Sequence, residues 1–215
     1  MDKKTKAREL LNILKKKYPN PRTQLLWKNP WELLVATILA AQCTDVRVNQ
    51  VTPTFFKRWP DPLSLSRAKQ EEVEEVIYST GFYKNKAKNL IATAKKIVEE
   101  FHGEVPSSME KLISLPGVAR KTANIILSNC FSKNEGIAVD THVKRISRRL
   151  GLTTSNDPLK IEKDLMELFP QREWGDVNHL LVWFGRDVCR SRNPRCLQCE
   201  IASLCPNSPS TTMTS

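Results

Sequence analysis

At 215 residues, 40% hydrophobic and 27% charged, the chain can bury one large core or two small ones. Its net charge of +11, from 34 Lys and Arg against 23 Asp and Glu, points to a polyanionic partner, nucleic acid before membrane. The cations are dispersed, which argues against a disordered basic tail. No apolar run reaches about 18 residues and Met1 to Lys6 is charged, so neither a membrane span nor a secretory signal is expected. A cytoplasmic monomer is expected, nucleoid-associated if the source is prokaryotic. The chain has only 7 glycines, so few reversals need positive φ, and long helices are favoured over a many-turned β fold.

Hydrophobic periodicity supplies the elements in chain order. From Lys6 to Tyr18, Ala7, Leu10, Leu11, Leu14 and Tyr18 form one stripe, which Pro19 ends. Asn29-Pro30 reads as N-cap and first residue of a helix to Gln42 that is apolar nearly all round and therefore central. Asp45 is the expected cap of a third helix, which Pro53 should kink or break. Further helices are predicted at Lys69–Ser79, Lys84–Phe101, Ser108–Ser114 and Lys121–Phe131. After the polar linker Ser132–Glu135 come Thr141–Leu150, Pro158–Leu168 and Glu173–Arg186, with Asp140 and Asp157 at N-cap positions. No strand alternation appears, so the chain reads as all-α with a ragged polar tail after Pro206.

Of the 6 cysteines, Cys43 and Cys130 stand in apolar surroundings and are expected to be buried small hydrophobes. Cys189, Cys196, Cys199 and Cys205 follow the spacing C-x6-C-x2-C-x5-C. Such crowding in a cytosolic chain means metal rather than disulfides, either tetrahedral zinc or an iron–sulfur cluster. One C-x2-C pair with longer arms outside it favours the cluster, although ligand count alone does not separate the two. Arg190, Arg192 and Arg195 lie on the loop between the first two cysteines, which is either a phosphate-contacting surface or a solvated turn.

In Leu115-Pro116-Gly117-Val118-Ala119-Arg120-Lys121, Pro116 ends one helix, Gly117 allows a tight turn and Lys121 opens the next helix. Such a turn presents backbone N–H groups to a phosphate without regard to base sequence. At a helix N-terminus the dipole disfavours the Lys121 ammonium, and partial burial would add to that, raising the fraction of amine able to form a Schiff base. Asp140 ends the apolar run Ile137-Ala138-Val139 at a helix start. It is an N-cap by position, and an ionised carboxylate there could stabilise a developing oxocarbenium charge or assist proton transfer.

The hairpin lysine, Val139-Asp140-Thr141-His142 and the four-cysteine terminus together resemble the endonuclease III family. Ala41-Gln42-Cys43-Thr44-Asp45 and the stretch from Thr80 to Ala87 add to the resemblance, which runs in order from about Leu10 to Cys205. It implies a two-lobed helical fold. Residues 20–134 would form a six-helix barrel with a helix–hairpin–helix at about 108–128, and residues 1–19 with 135–215 would carry a [4Fe–4S] cluster on 189–205. It implies duplex DNA with damaged pyrimidines or abasic sites as partner, the damaged nucleotide flipped out. Lys121 would attack C1′ with Asp140 as acidic partner, Gln42 would fill the vacated space and Phe82 would wedge the stack. Gly117, Ala119, Arg120 and His142 would contact DNA. Two positions depart from the family pattern. Ala119 stands where many relatives have glycine, so near-helical geometry is expected there, and Phe82 replaces a more usual leucine. The rival readings are a monofunctional mismatch glycosylase of the same superfamily, whose members generally lack a lysine at this position, and a non-enzymatic DNA-binding module with structural zinc.

Overall fold

The computed structural model describes residues 1–208; the polar stretch 209–215 lies outside the described residues. The chain forms two compact units, one of Gln24–Lys133, the other of Met1–Thr23 together with the chain from Asn134 onward. Every regular element among the described residues is helical.

The Gln24–Lys133 unit begins with Pro30–Leu39 (α2, following α1 at Lys3–Lys17 in the other unit) and Asp45–Arg58 (α3). Pro62–Ser66 (α4), Gln70–Ile77 (α5), Tyr83–Phe101 (α6), Met109–Ile113 (α7) and Arg120–Phe131 (α8) complete it. α2 is its centre: apart from Pro30 and Glu32 all its residues are buried, and each fully buried Leu is worth about 2 kcal/mol. α3 and α8 pack on α2, while α6 packs on α4 and α5. The Asn29 side chain accepts from the Glu32 N–H and Pro30 fills the first helical position, as the sequence predicts.

Three expectations need correction here. α3 is capped by the Thr44 hydroxyl, not by Asp45, and of the kink or break expected at Pro53 the break does not occur, since the helix continues to Arg58. A proline inside a helix costs about 3 kcal/mol, but burial of Val48, Val51 and Phe55 on one face returns roughly twice that. α4, with Asp61 and Ser64 forming a capping box, is too short to show periodicity and was not predicted. Cys43 and Cys130 are half-buried against the core rather than fully buried, although burial still raises the Cys130 thiol to about 11.

The other unit packs α1 against Pro158–Leu168 (α10) and Trp174–Asp187 (α11), and α11 against Thr141–Arg149 (α9). α1 starts three residues earlier than predicted because the Asp2 carboxylate accepts from Lys4 N–H (2.9 Å) and Thr5 N–H (3.0 Å). Asp140 and Asp157 do cap α9 and α10. The segment after Pro206 is not ragged at its start. Asn207 Nδ2 donates to the Arg149 carbonyl at 2.6 Å, and Ser208 is 2% exposed. No helix among the described residues is long and apolar enough to cross a membrane.

Candidate DNA interface and cysteine-lined cavity

In the Gln24–Lys133 unit, α7 and α8 are joined by a tight turn. Val118 N–H donates to the Leu115 carbonyl at 3.1 Å, with Gly117 at φ 77. Pro followed by a residue of positive φ is the type II pattern, and an added Cβ at Gly117 would lie 3.0 Å from Asn89 Cβ. The Pro116 carbonyl accepts from Thr93 Oγ1 at 2.6 Å, which ties the turn to α6. The expectation of near-helical geometry at Ala119 is wrong. It is extended (φ −87, ψ 166) and is the N-cap of α8, without a side-chain cap. Alanine bears no strain there, and it leaves the first N–H groups of α8 without the capping oxygen that Ser or Asp would supply.

Lys121, second residue of α8, is exposed rather than partly buried. The amine is therefore solvated in the free protein, and any desolvation of it has to come from a bound partner. Arg120 beside it is half-buried.

Gln42 and Phe82 share a backbone feature that the sequence did not announce. Both lie in the left-handed region, at φ 54 and 49, where a residue with a Cβ costs roughly 1–2 kcal/mol. Gln42 is exposed on the turn after α2, and Phe82, 66% exposed, caps α6 directly after Gly81, itself at φ 69. A large aromatic ring held out on a strained turn is unfavourable in the free protein, and such strain clusters at binding surfaces.

In the other unit, Ile137 and Ala138 run through the core, and the buried Asn178 Nδ2 donates to the Ala138 carbonyl at 2.7 Å. This anchor fixes the approach to Asp140, whose Oδ1 accepts from Val143 N–H at 2.8 Å. His142, half-buried on the first turn of α9, lies 3.2 Å by Nδ1 from Arg145 Nη2. α9 and α11 approach closely because residue 185 has no side chain. A Cβ on Gly185 would stand 2.7 Å from His142 Nδ1.

Cys189, Cys196, Cys199 and Cys205, all free thiols, line a single cavity of about 160 Å3 walled also by Leu150, Phe184, Val188 and Ile201. Burial raises the thiols of Cys199 and Cys205, so a positive centre is needed to hold them as thiolates. Among the described residues no three His, Cys, Asp or Glu side chains converge on one single-ion position.

The intervening loop is more than a solvated turn. Arg149 donates to the carbonyls of Arg190 (2.7 Å) and Ser191 (3.1 Å) and to Cys189 Sγ (3.4 Å). Arg145 donates to the carbonyls of Cys189 (3.0 Å) and Gly185 (3.2 Å). Sequence reasoning missed both arginines. Their separation of one helical turn on α9 was visible, but their carbonyl partners, forty or more residues away, were not. Held in this way, the loop exposes Arg190, Arg192 and Arg195, of which Arg195 pairs with Asp187 at 3.7 Å.

Residues 35–171 match the family described as HhH-GPD superfamily base excision DNA repair protein. The endonuclease III of Synechocystis sp. is 54% identical over 95% of this chain and 94% of its own length. A non-covalent endonuclease III–DNA complex superposes with a TM-score of 0.93 at 39% identity, covering 99% of this chain and 100% of that one. A trapped endonuclease III–DNA covalent intermediate, an estranged-adenine complex, matches with the same TM-score, identity and coverage. With its uncapped hairpin helix and its cysteine-lined cavity, the chain thus belongs to the helix–hairpin–helix superfamily of base-excision DNA repair proteins, in the endonuclease III family.

Proposed function

We propose that this chain is a bifunctional DNA glycosylase and abasic-site lyase that removes oxidised or damaged pyrimidines from duplex DNA. The observation that carries the reading is the position of Lys121, exposed in the first turn of α8 directly behind the Gly117 turn. The turn and the uncapped N–H groups of α8 suit a backbone phosphate, which would bring a deoxyribose within reach of the lysine. Family membership and a relative trapped as a covalent DNA intermediate support this reading and leave no place for a non-enzymatic module.

In the reaction, the Lys121 amine lone pair attacks C1′ as the damaged base leaves with the electrons of the glycosidic bond. Ring opening then gives a Schiff base between Nζ and C1′. Loss of a 2′ proton drives β-elimination of the 3′ phosphate, and water hydrolyses the imine to free Lys121, leaving a 3′ unsaturated aldehyde and a 5′ phosphate. The Asp140 carboxylate, held by the Val143 N–H, would stabilise positive charge developing at the sugar and accept protons from the amine. Because Lys121 is exposed in the free protein, DNA itself must exclude the water around it. Gln42 would occupy the space left by the flipped nucleotide and Phe82 would part the neighbouring bases. Arg190, Arg192 and Arg195 would meet phosphates, as would Gly117, Ala119 and Arg120, with His142 beside the sugar.

The four thiols suit a [4Fe–4S] cluster. Zinc sits about 2.3 Å from each sulfur, so four thiols around one ion leave almost no free volume. A cavity of about 160 Å3 instead suits a polynuclear group. Cys189, Cys196, Cys199 and Cys205 would be its ligands, and the group would supply a covalent brace for the arginine loop. Loss of the visible charge-transfer band in Cys199→Ser, with iron content falling in step, is the expected result. Stoichiometric zinc and a colourless wild type would refute the assignment.

Incubation with end-labelled duplexes carrying thymine glycol, uracil, 8-oxoguanine or an abasic site tests the function. Nicking at thymine glycol and at the abasic site is expected. Base release without nicking would mean a monofunctional enzyme, and inertness towards every duplex would refute the proposal.

A further inference from the structure

The two strained turns have a common anchor. Leu39, the last residue of α2, precedes Gln42 by three positions, and Thr80, at the end of the 3-10 turn Tyr78–Thr80, precedes Phe82 by two. Both carbonyls accept from one group, the Lys86 ammonium, at 2.7 Å from Leu39 O and 2.9 Å from Thr80 O. Lys86 is 5% exposed and lies on the first turns of α6, whose N-cap is Phe82 itself. The loop is therefore closed at both ends: Phe82 O accepts from Lys86 N–H at 3.0 Å, and Lys86 Nζ reaches back to the chain before Phe82.

Lys86 forms no ion pair with a carboxylate among the described residues; its stabilisation comes from the two carbonyl dipoles. Burial accordingly pulls its pKa down, and the ionisable neighbour that opposes this is Cys43, adjacent to Gln42. If the lysine only filled space, an apolar side chain of the same length would serve without the desolvation that a buried ammonium suffers. A cation donating two charge-assisted bonds to two separate turns does something a methionine could not. It fixes the distance between them.

We propose that Lys86 is a positioning residue for opening the duplex: its ammonium locks the turn bearing Gln42 to the turn bearing Phe82, so that both side chains enter DNA at a preset separation. The inference rests on the reading of Gln42 and Phe82 as inserting residues. Left-handed backbone at both positions persists only where the surroundings enforce it, and Lys86 is the enforcing contact the two turns share.

The test compares Lys86→Met, Gln42→Ala and Phe82→Ala with the wild-type protein in three measurements. These are single-turnover excision of thymine glycol from duplex DNA, β-elimination at a preformed abasic site, and unstacking of a fluorescent adenine analogue opposite the lesion. An abasic nucleotide is unpaired and leaves the stack with little assistance. For Lys86→Met, excision should fall about tenfold and the fluorescence rise should shrink, while abasic-site cleavage stays within about twofold of wild type. The same split is expected for Gln42→Ala and Phe82→Ala. If those two show the split and Lys86→Met does not, the lock is refuted while the insertion reading stands. If neither shows it, the insertion reading fails and the proposal with it. An equal fall in both reactions of Lys86→Met means general structural damage and overturns the proposal. Should Lys86→Met not fold, Lys86→Gln, which can still donate to one carbonyl, takes its place. An intermediate excision-to-elimination ratio then supports the lock, and a wild-type ratio overturns it.

Discussion

Replacing Gly117 by alanine perturbs the hairpin at the point where its geometry is tightest. At φ 77 an alanine costs roughly 1–2 kcal/mol in backbone strain. Its Cβ would also stand 3.0 Å from both Cβ and Nδ2 of Asn89. The amide can rotate away but the Asn89 Cβ cannot, so overpacking adds about 1 kcal/mol or more. Together these give about 3 kcal/mol, which lowers Tm by roughly 6–12 °C for a chain of this size. Gly103→Ala is the internal control. Its φ of 83 is similar, but nothing lies within 4 Å of an added Cβ, so it bears the backbone cost alone. In the proposed reading the turn's N–H groups hold a phosphate, so Gly117→Ala should weaken binding to undamaged duplex about tenfold at every salt concentration. The slope of log affinity against log salt should stay unchanged, because no cation is lost. Thermal unfolding and anisotropy titrations at several salt concentrations provide both readings. Equal Tm values for the two alanine variants would refute the Asn89 contact, and an unchanged affinity would refute phosphate binding at this turn.

Two further outcomes follow from groups near Asp140. Burial pulls His179 down to about 4 from its ordinary 6.5, against the opposing pull of Asp176 and Asp140. As pH falls the unfolded chain therefore takes up this proton first. The stability linked to neutral His179 is full above about 6.5, fades between about 6.5 and 4, and is gone below, roughly 3 kcal/mol in all. Urea midpoints measured across that range should flatten in His179→Gln, and an unchanged slope would exclude His179 as the source. Asp140→Asn keeps an N-cap oxygen for Val143 N–H, so stability should move by no more than about 0.5 kcal/mol. Excision should nonetheless fall about a hundredfold, since the charge is lost. Full activity in that variant would reduce Asp140 to a cap.

Capping chemistry is local, which is why Asn29-Pro30, Asp140 and Asp157 mark helix starts legibly in the sequence. The continuity of α3 through Pro53 was not legible, because it depends on burial of Phe55 and its neighbours against other helices. α4 was invisible for a different reason: five residues hold little more than one helical turn. At the site, residue types and spacings could be read, including four cysteines close in sequence that line one cavity. What escaped were contacts made at long range to backbone carbonyls, those of Arg145, Arg149 and Lys86, since any carbonyl in the chain is chemically the same partner. The exposure of Lys121 was misread because a pattern of residue types does not reveal how deeply a helix end sits.

The central claim is that the Lys121 amine bonds covalently to the sugar, and borohydride reduction tests it most directly. Wild-type protein mixed with an abasic-site duplex and reduced should yield one stable protein–DNA adduct, mapped by peptide mass spectrometry to Lys121. Lys121→Ala, with unchanged Tm and undiminished binding to the same duplex, should yield none. An adduct at wild-type level in that variant, or one mapped to another lysine of the native protein, would contradict the account.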